Sequence, residues 1–268
     1  MRLTVLGKSP SWEDAGGACS GYLLEEGDTA VLLECGNGVF GKLRLYRDYA
    51  EIDAVVVSHF HGDHVLDLIP FSYALTYSPR PRAPRPRAVT ARPRLIGPPR
   101  FGERLRTIAA VFEDRELVDR AFEVVEYGAG DAFTVGGIAF RTAPVPHFTE
   151  TFAIAVEPPG GRAGERPPRL VFGADCGPSE ELVKFAQGAD LLMLEATLVT
   201  PEPPLAGRRR GHLTPREAGE HAARAGARKL VLTHVSDEVD PAWAQREAQA
   251  AFDGEVVVAH EGLVLELD

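Results

Sequence analysis

The stretch Asp53-Ala54-Val55-Val56-Val57-Ser58-His59-Phe60-His61-Gly62-Asp63-His64 decides how the chain is read. Its first half is short, apolar and β-branched, the pattern of a buried strand. Its second half delivers three imidazoles and a carboxylate within six residues. Imidazole nitrogen and carboxylate oxygen are ligands for zinc and other borderline divalent ions. In extended backbone His59 and His61 project to the same side, because side chains alternate with period two. Gly62 permits a sharp turn, so Asp63 and His64 can face a second ion close to the first.

Around this stretch, strands and helices alternate in both halves of the chain. Leu3–Gly7, Ala18–Leu24 and Ala30–Glu34 read as strands, and Val39–Tyr49 as a helix. A helix from about His64 to Tyr77 follows the metal-binding stretch. Arg94–Gly97 reads as a strand and Pro99–Phe112 as a helix. Phe122–Tyr127 and the pair Ala132–Val135 and Ile138–Thr142, turned at Gly136-Gly137, read as strands. Phe152–Val156 pairs with Leu170–Phe172 across a polar loop, Gly160–Arg169. Beyond these come helices at Ser179–Gln187, Thr214–Ala225 and Pro241–Phe252. They are interleaved with strands at Leu191–Leu194, Leu230–Thr233, Val256–Ala259 and Leu263–Leu267. No break resembles a linker, so residues 1–268 are expected to form one α/β domain. Directly connected early strands require some antiparallel pairing, and the expected architecture is two mixed sheets facing each other with helices outside.

Composition narrows the class. The 268 residues are 44% hydrophobic and 25% charged, ordinary for a soluble globular protein. A net charge of −10 argues against nucleic-acid binding driven by overall charge. The apolar run at Met1–Gly7 is too short for a signal peptide, and no segment reaches the length of a membrane span. Cys19, Cys35 and Cys176 are odd in number and contain no CxxC, which suits reduced thiols in a cytoplasmic protein. The segment Ser78–Arg94 holds five Pro and six Arg without apolar periodicity and is expected to be extended.

The other candidate ligands come from distant positions. His147 follows the rigid Pro144-Val145-Pro146. His234 follows the strand Leu230–Thr233, and His212 follows Arg208-Arg209-Arg210-Gly211. Asp175 ends Val171-Phe172-Gly173-Ala174, where Gly173 permits close backbone approach, and a carboxylate there can bridge two cations. His221 falls within a predicted helix and is expected at the surface. His260 lies between two strands and is read as structural, and Asp67 is left outside the ligand set.

The order His-x-His-x-Asp-His after a strand, a lone His, Gly-x-Asp, then Thr-His resembles the metallo-β-lactamase superfamily over essentially the whole chain. The resemblance implies an αββα sandwich with metals at one edge of the sheets. It implies that His59, His61 and His147 hold one ion, that Asp63, His64 and His234 hold a second, and that Asp175 bridges both. Leu194-Glu195-Ala196-Thr197 and Gly211-His212-Leu213-Thr214 resemble segments of the tRNase Z-type phosphodiesterases. There the His contacts the scissile phosphate or protonates the leaving oxygen, and the Glu orients it. His147 and Asp175 are only 28 positions apart, too close for the long tRNA-binding arm inserted there in true tRNase Z, so the match is closer to compact bacterial relatives that include cyclic nucleotide phosphodiesterases.

These readings imply two divalent ions, zinc with Mn2+ or Fe2+ tolerated by the same ligands. The activity they imply is hydrolysis of a cyclic nucleotide or an RNA 3′-end phosphodiester by a metal-bridging hydroxide. Asp63 would hold the nucleophile, and His212 and Glu195 would form the acid and its orienter. Arg208, Arg209 and Arg210 would offer a basic rim to a small anionic phosphodiester. Family relatives often dimerise, which implies a homodimer. The competing readings are another hydrolase on the same scaffold (lactonase, thioesterase or β-lactamase) and a non-hydrolytic metal-binding or redox protein.

Overall fold

A computed structural model describes residues 1–79, 92–160, 166–203 and 210–267. Two seven-stranded sheets face each other. The first runs Val264–Glu266, Arg2–Gly7, Gly21–Glu26, Thr29–Leu33, Ala54–Val56, Arg94–Gly97, Glu123–Glu126 in spatial order. The second runs Glu255–Val258, Lys229–Thr233, Leu191–Glu195, Leu170–Phe172, Thr151–Glu157, Ile138–Val145, Ala132–Val135. Each sheet is mixed. In the first, antiparallel pairing gives way to parallel after Thr29–Leu33. In the second, the strands from Glu255–Val258 through Leu170–Phe172 are parallel and the rest antiparallel.

Three apolar clusters account for the layers. The strand faces that look at each other bury Leu3, Val5, Tyr22, Phe140, Ile154, Phe172 and Met193. The outer face of the first sheet buries Leu23, Leu32, Val55 and Leu95 against helices bearing Leu43, Phe71, Phe101 and Leu105. The outer face of the second buries Val171, Leu192 and Leu232 against helices bearing Leu182, Ala222 and Ala248. Strands such as Thr29–Leu33 are buried on both faces, which explains their unbroken apolar sequence. The αββα arrangement expected from the sequence is therefore the one observed.

Local departures have physical causes. The helix expected from His64 to Tyr77 is two, Gly62–Val65 and Leu68–Tyr77. Pro70 lacks an N–H and suits only the first turn of the second helix. Asp67 marks the break, its N–H donating to Cys35 O and its carboxylate accepting from Phe40 N–H. A short helix at Leu117–Ala121 was not expected. Thr214 and Glu217 close a capping box on the helix Pro215–Ala225. The segment 80–91, most of the Pro- and Arg-rich stretch, lies outside the described residues.

Candidate metal centre and acid pair

All the candidate metal ligands and Glu195 come from the C-terminal end of a strand or the residues just after it, while His212 lies in the segment leading into the helix Pro215–Ala225. His59, His61, Asp63 and His64 follow Ala54–Val56, and His147 follows Ile138–Val145. Asp175 follows Leu170–Phe172, Glu195 ends Leu191–Glu195, and His234 follows Lys229–Thr233. Strand pairing brings these ends to one rim of the sandwich. Three non-glycine residues there have positive φ: Glu34 at 63°, Ala174 at 55° and His234 at 57°. Such backbone costs about 1–3 kcal/mol per residue and persists where the surroundings over-determine it. At Gly36 an added Cβ would lie 1.9 Å from Asp63 O, so the Cys35-Gly36 turn must pack directly beneath the motif.

Two groups of ligand atoms form there. In the first, His61 Nδ1 is 3.2 Å from His59 Nε2 and 3.1 Å from His147 Nε2. In the second, His234 Nε2 is 3.1 Å from Asp63 Oδ2 and 3.4 Å from Asp175 Oδ2, while His64 Nε2 is 3.5 Å from Asp63 Oδ2 and 3.4 Å from Asp175 Oδ1. Tetrahedral ligands at about 2.0–2.1 Å from an ion stand about 3.4 Å from one another, close to the spacing of both groups. Asp175 Oδ2 is 3.9 Å from His59 Nε2 and from His147 Nε2, which places this carboxylate between the groups.

The donor set fits divalent cations on three further counts. Both ring nitrogens of buried His64 lack a hydrogen-bond partner, although Asp63, Asp175 and Glu34 surround it. Burial works against a charged His64, yet these carboxylates raise its pKa well above the ordinary value, so this position selects positive charge. Burial instead pushes His59 well below its ordinary value and His147 down to about 4, leaving neutral imidazoles with lone pairs to give.

A second ring of contacts orients the imidazoles. His147 Nδ1–H donates to Gly211 O at 2.8 Å. His59 Nδ1 is 3.0 Å from Ser58 Oγ, and His234 Nδ1 is 2.8 Å from Thr197 Oγ1. His64 Nδ1 is 3.2 Å from Glu34 Oε2, while Glu34 Oε1 accepts from Ser58 N–H. Glu34 and Thr197 were not singled out from the sequence. A carboxylate closing the otherwise apolar strand Thr29–Leu33 was the available signal for Glu34.

Next to the ligands, His212 Nδ1–H donates to Glu195 Oε1 at 2.8 Å. Glu195 is almost wholly buried and fully occupied, accepting also from Cys176 N–H, Thr197 N–H and Thr197 Oγ1–H. Burial disfavours a charged His212, but the Glu195 carboxylate more than offsets this and pushes its pKa up to about 9. His212 also shares a group of ligand-capable atoms, mutually within 4.8 Å, with His147 and Asp175.

Two expectations change. His221 is buried, not at the surface. It accepts from Ser179 N–H through Nε2 and donates from Nδ1 to Glu217 O. Arg210 is not a free cation: its guanidinium donates to both oxygens of Glu217 at 2.7 and 2.8 Å, bracing the turn before the helix. Arg208 and Arg209 lie outside the described residues. His260 is exposed and belongs to none of the groups of ligand-capable atoms found among the described residues.

Comparison with known proteins agrees with this fold. Residues 29–235 match the model of the beta-lactamase superfamily domain. A ribonuclease Z of Thermobifida fusca is 32% identical, covering 97% of this chain and 92% of its own length. The probable metallo-hydrolase YhfI of Bacillus subtilis is 29% identical over 99% of this chain and all of its own. The crystal structure of YhfI superposes with a TM-score of 0.82 at 25% identity, covering 98% of both chains. The structure of human tRNase Z, short form, gives 0.74 at 21% identity over the full length of both chains and shows the shared fold. The chain belongs to the beta-lactamase superfamily, as a metal-dependent hydrolase of the metallo-β-lactamase fold related to ribonuclease Z.

Proposed function

We propose that the protein is a dinuclear phosphodiesterase, with zinc as its metal and a cyclic nucleotide or an RNA 3′ end as substrate. The observation that carries this reading is the Glu195–His212 pair, held at 2.8 Å beside the two ligand groups. A phosphodiester leaves an alkoxide, a poor leaving group that needs a proton. His212, charged near neutral pH through Glu195, would give that proton. The names of the ribonuclease Z relatives support the same class.

His59, His61 and His147 would hold one ion, Asp63, His64 and His234 the other, with Asp175 shared. Bound divalent ions supply Lewis acidity, lowering the pKa of water from 15.7 toward about 7 and offsetting negative charge on phosphate oxygens. Asp63 accepts a hydrogen bond from the attacking water and aims it. His212 protonates the leaving oxygen, and Glu195 keeps the donating nitrogen, Nε2, directed outward by binding Nδ1–H. Among the described residues no helix is long and apolar enough to cross a membrane. The short connection from His147 to Asp175 favours a compact substrate over whole tRNA.

The test is turnover by metal-loaded protein on cyclic AMP, a pre-tRNA with a 3′ trailer, bis(p-nitrophenyl) phosphate, a lactone and a thioester, with elemental analysis alongside. Phosphodiester turnover with two metals per chain is expected. Turnover confined to the lactone or thioester would overturn the reading.

A further inference from the structure

The turn after Ile138–Val145 presents one residue that the catalytic reading leaves without a task. Phe148 follows His147 directly and is 51% exposed. A single exposed Phe is ordinary on a protein surface. This one touches the site from two sides: its ring centroid is 5.0 Å from that of His147 and 5.6 Å from that of His212. It is also pinned. A Cβ at Gly211 would fall 2.7 Å from the Phe148 ring, so the ring rests against the backbone that carries His212. The absence of a side chain at Gly211 makes room for it. The neighbouring cation, Arg210, is committed to Glu217 and offers no free charge at this edge.

A half-open aromatic ring seated against Gly211 beside the proton donor is the form of a stacking platform. We propose that Phe148 stacks against the nucleobase of the substrate, so that the site selects phosphodiesters carrying a base next to the scissile phosphate. This rests on the phosphodiesterase reading above. Base–aromatic stacking is tolerant of base identity, because every base presents a π-face. It also suits an acidic chain, which would otherwise repel a polyanion. The base would lie over Phe148, one sugar away from a phosphorus held between His212 and the ligand groups.

Two esters that release the same p-nitrophenolate test this on the metal-loaded full chain: the p-nitrophenyl ester of thymidine 5′-monophosphate, and methyl p-nitrophenyl phosphate, which has no base. The quantity read is the ratio of their kcat/KM values. Phe148→Ala is expected to lower that ratio about tenfold, chiefly through KM for the thymidine ester, and Phe148→Trp to retain it. An equal loss on both esters would overturn the proposal and make Phe148 a support for His147 and His212. An unchanged ratio would overturn it as well. If Phe148→Ala loses metal or thermal stability, Phe148→Leu serves in its place, filling the space against Gly211 without a π-face. If the wild type cleaves neither ester, the phosphodiesterase reading fails on its own. Stacking is then read by calorimetry with thymidine 5′-monophosphate, where equal affinity of wild type and Phe148→Leu would rule it out.

Discussion

The Thr197 hydroxyl lies 2.8 Å from His234 Nδ1 and donates to Glu195 Oε2 at 2.6 Å. Because its proton goes to Glu195, its lone pair must accept from His234 Nδ1–H. That fixes the tautomer in which His234 Nε2 faces Asp63 and Asp175 with its lone pair free. One hydroxyl therefore joins a metal-ligand candidate to the carboxylate behind the acid. Thr197→Val keeps the shape and removes both bonds. It is expected to weaken metal binding and turnover by about 10–100-fold, with Thr197→Ser restoring most of each. Metal titration in a competing chelator checks this, and failure of Thr197→Ser to rescue would show that the methyl group matters instead.

Glu34 bears on the other side of the same cluster. Its Oε1 accepts from Ser58 N–H and its Oε2 stands 3.2 Å from His64 Nδ1. Glu34→Gln keeps the bond to Ser58 but presents an uncharged group to His64. The expected outcome is metal stoichiometry falling from two toward one per chain under a mild chelator, with the affinity lost at the second ligand group roughly 10–100-fold. Unchanged occupancy of both sites in elemental analysis would refute it.

Removing the acid should separate binding from chemistry. His212→Ala leaves the two ligand groups in place, so metal content is expected to stay near the wild-type value. Turnover of a substrate with an alkoxide leaving group should fall about 10²–10⁴-fold, and that of a p-nitrophenyl ester much less, since p-nitrophenolate leaves without a proton. Equal losses on both would remove the acid role. Loss of metal from His212→Ala would make this residue a ligand.

The parts of the site that could be read from the sequence are those whose geometry is local or repeats at a strand end. His59 to His64 sit on one turn, and their spacing alone dictates convergence. His147, Asp175 and His234 each close an apolar strand, so their common rim follows once the strands are placed in parallel. Glu34 could not be placed this way. Its contact with His64 depends on the pairing of Leu33 with Val56, a register between segments more than twenty residues apart. Thr197 is hidden for the same reason, since parallel pairing of Glu195 with Thr233 brings it to His234. The order of strands across each sheet is likewise a tertiary outcome. Arg210 shows a partner that sequence proximity hides: a basic run next to His212 suggested a phosphate contact, and Glu217, seven residues on, already holds its guanidinium.

His221 offers a test in pH rather than catalysis, and its burial was readable in retrospect. Ala218, His221, Ala222 and Ala225 fall at helical spacing on one buried stripe. Burial lowers its pKa below the ordinary 6.5. The folded protein therefore takes up this proton only at a lower pH than the unfolded chain does. Below about 6.5 the unfolded state holds more protons, so stability falls as pH falls. The contribution is complete above that value and is lost as pH drops through the folded pKa. His221→Gln removes the titration, so the thermal midpoint of wild type relative to this variant is expected to decline from pH 7.5 to pH 5. Parallel curves would show that another group controls acid stability. His221→Ala should cost about 1–3 kcal/mol at neutral pH, because the buried Ser179 N–H then has no acceptor.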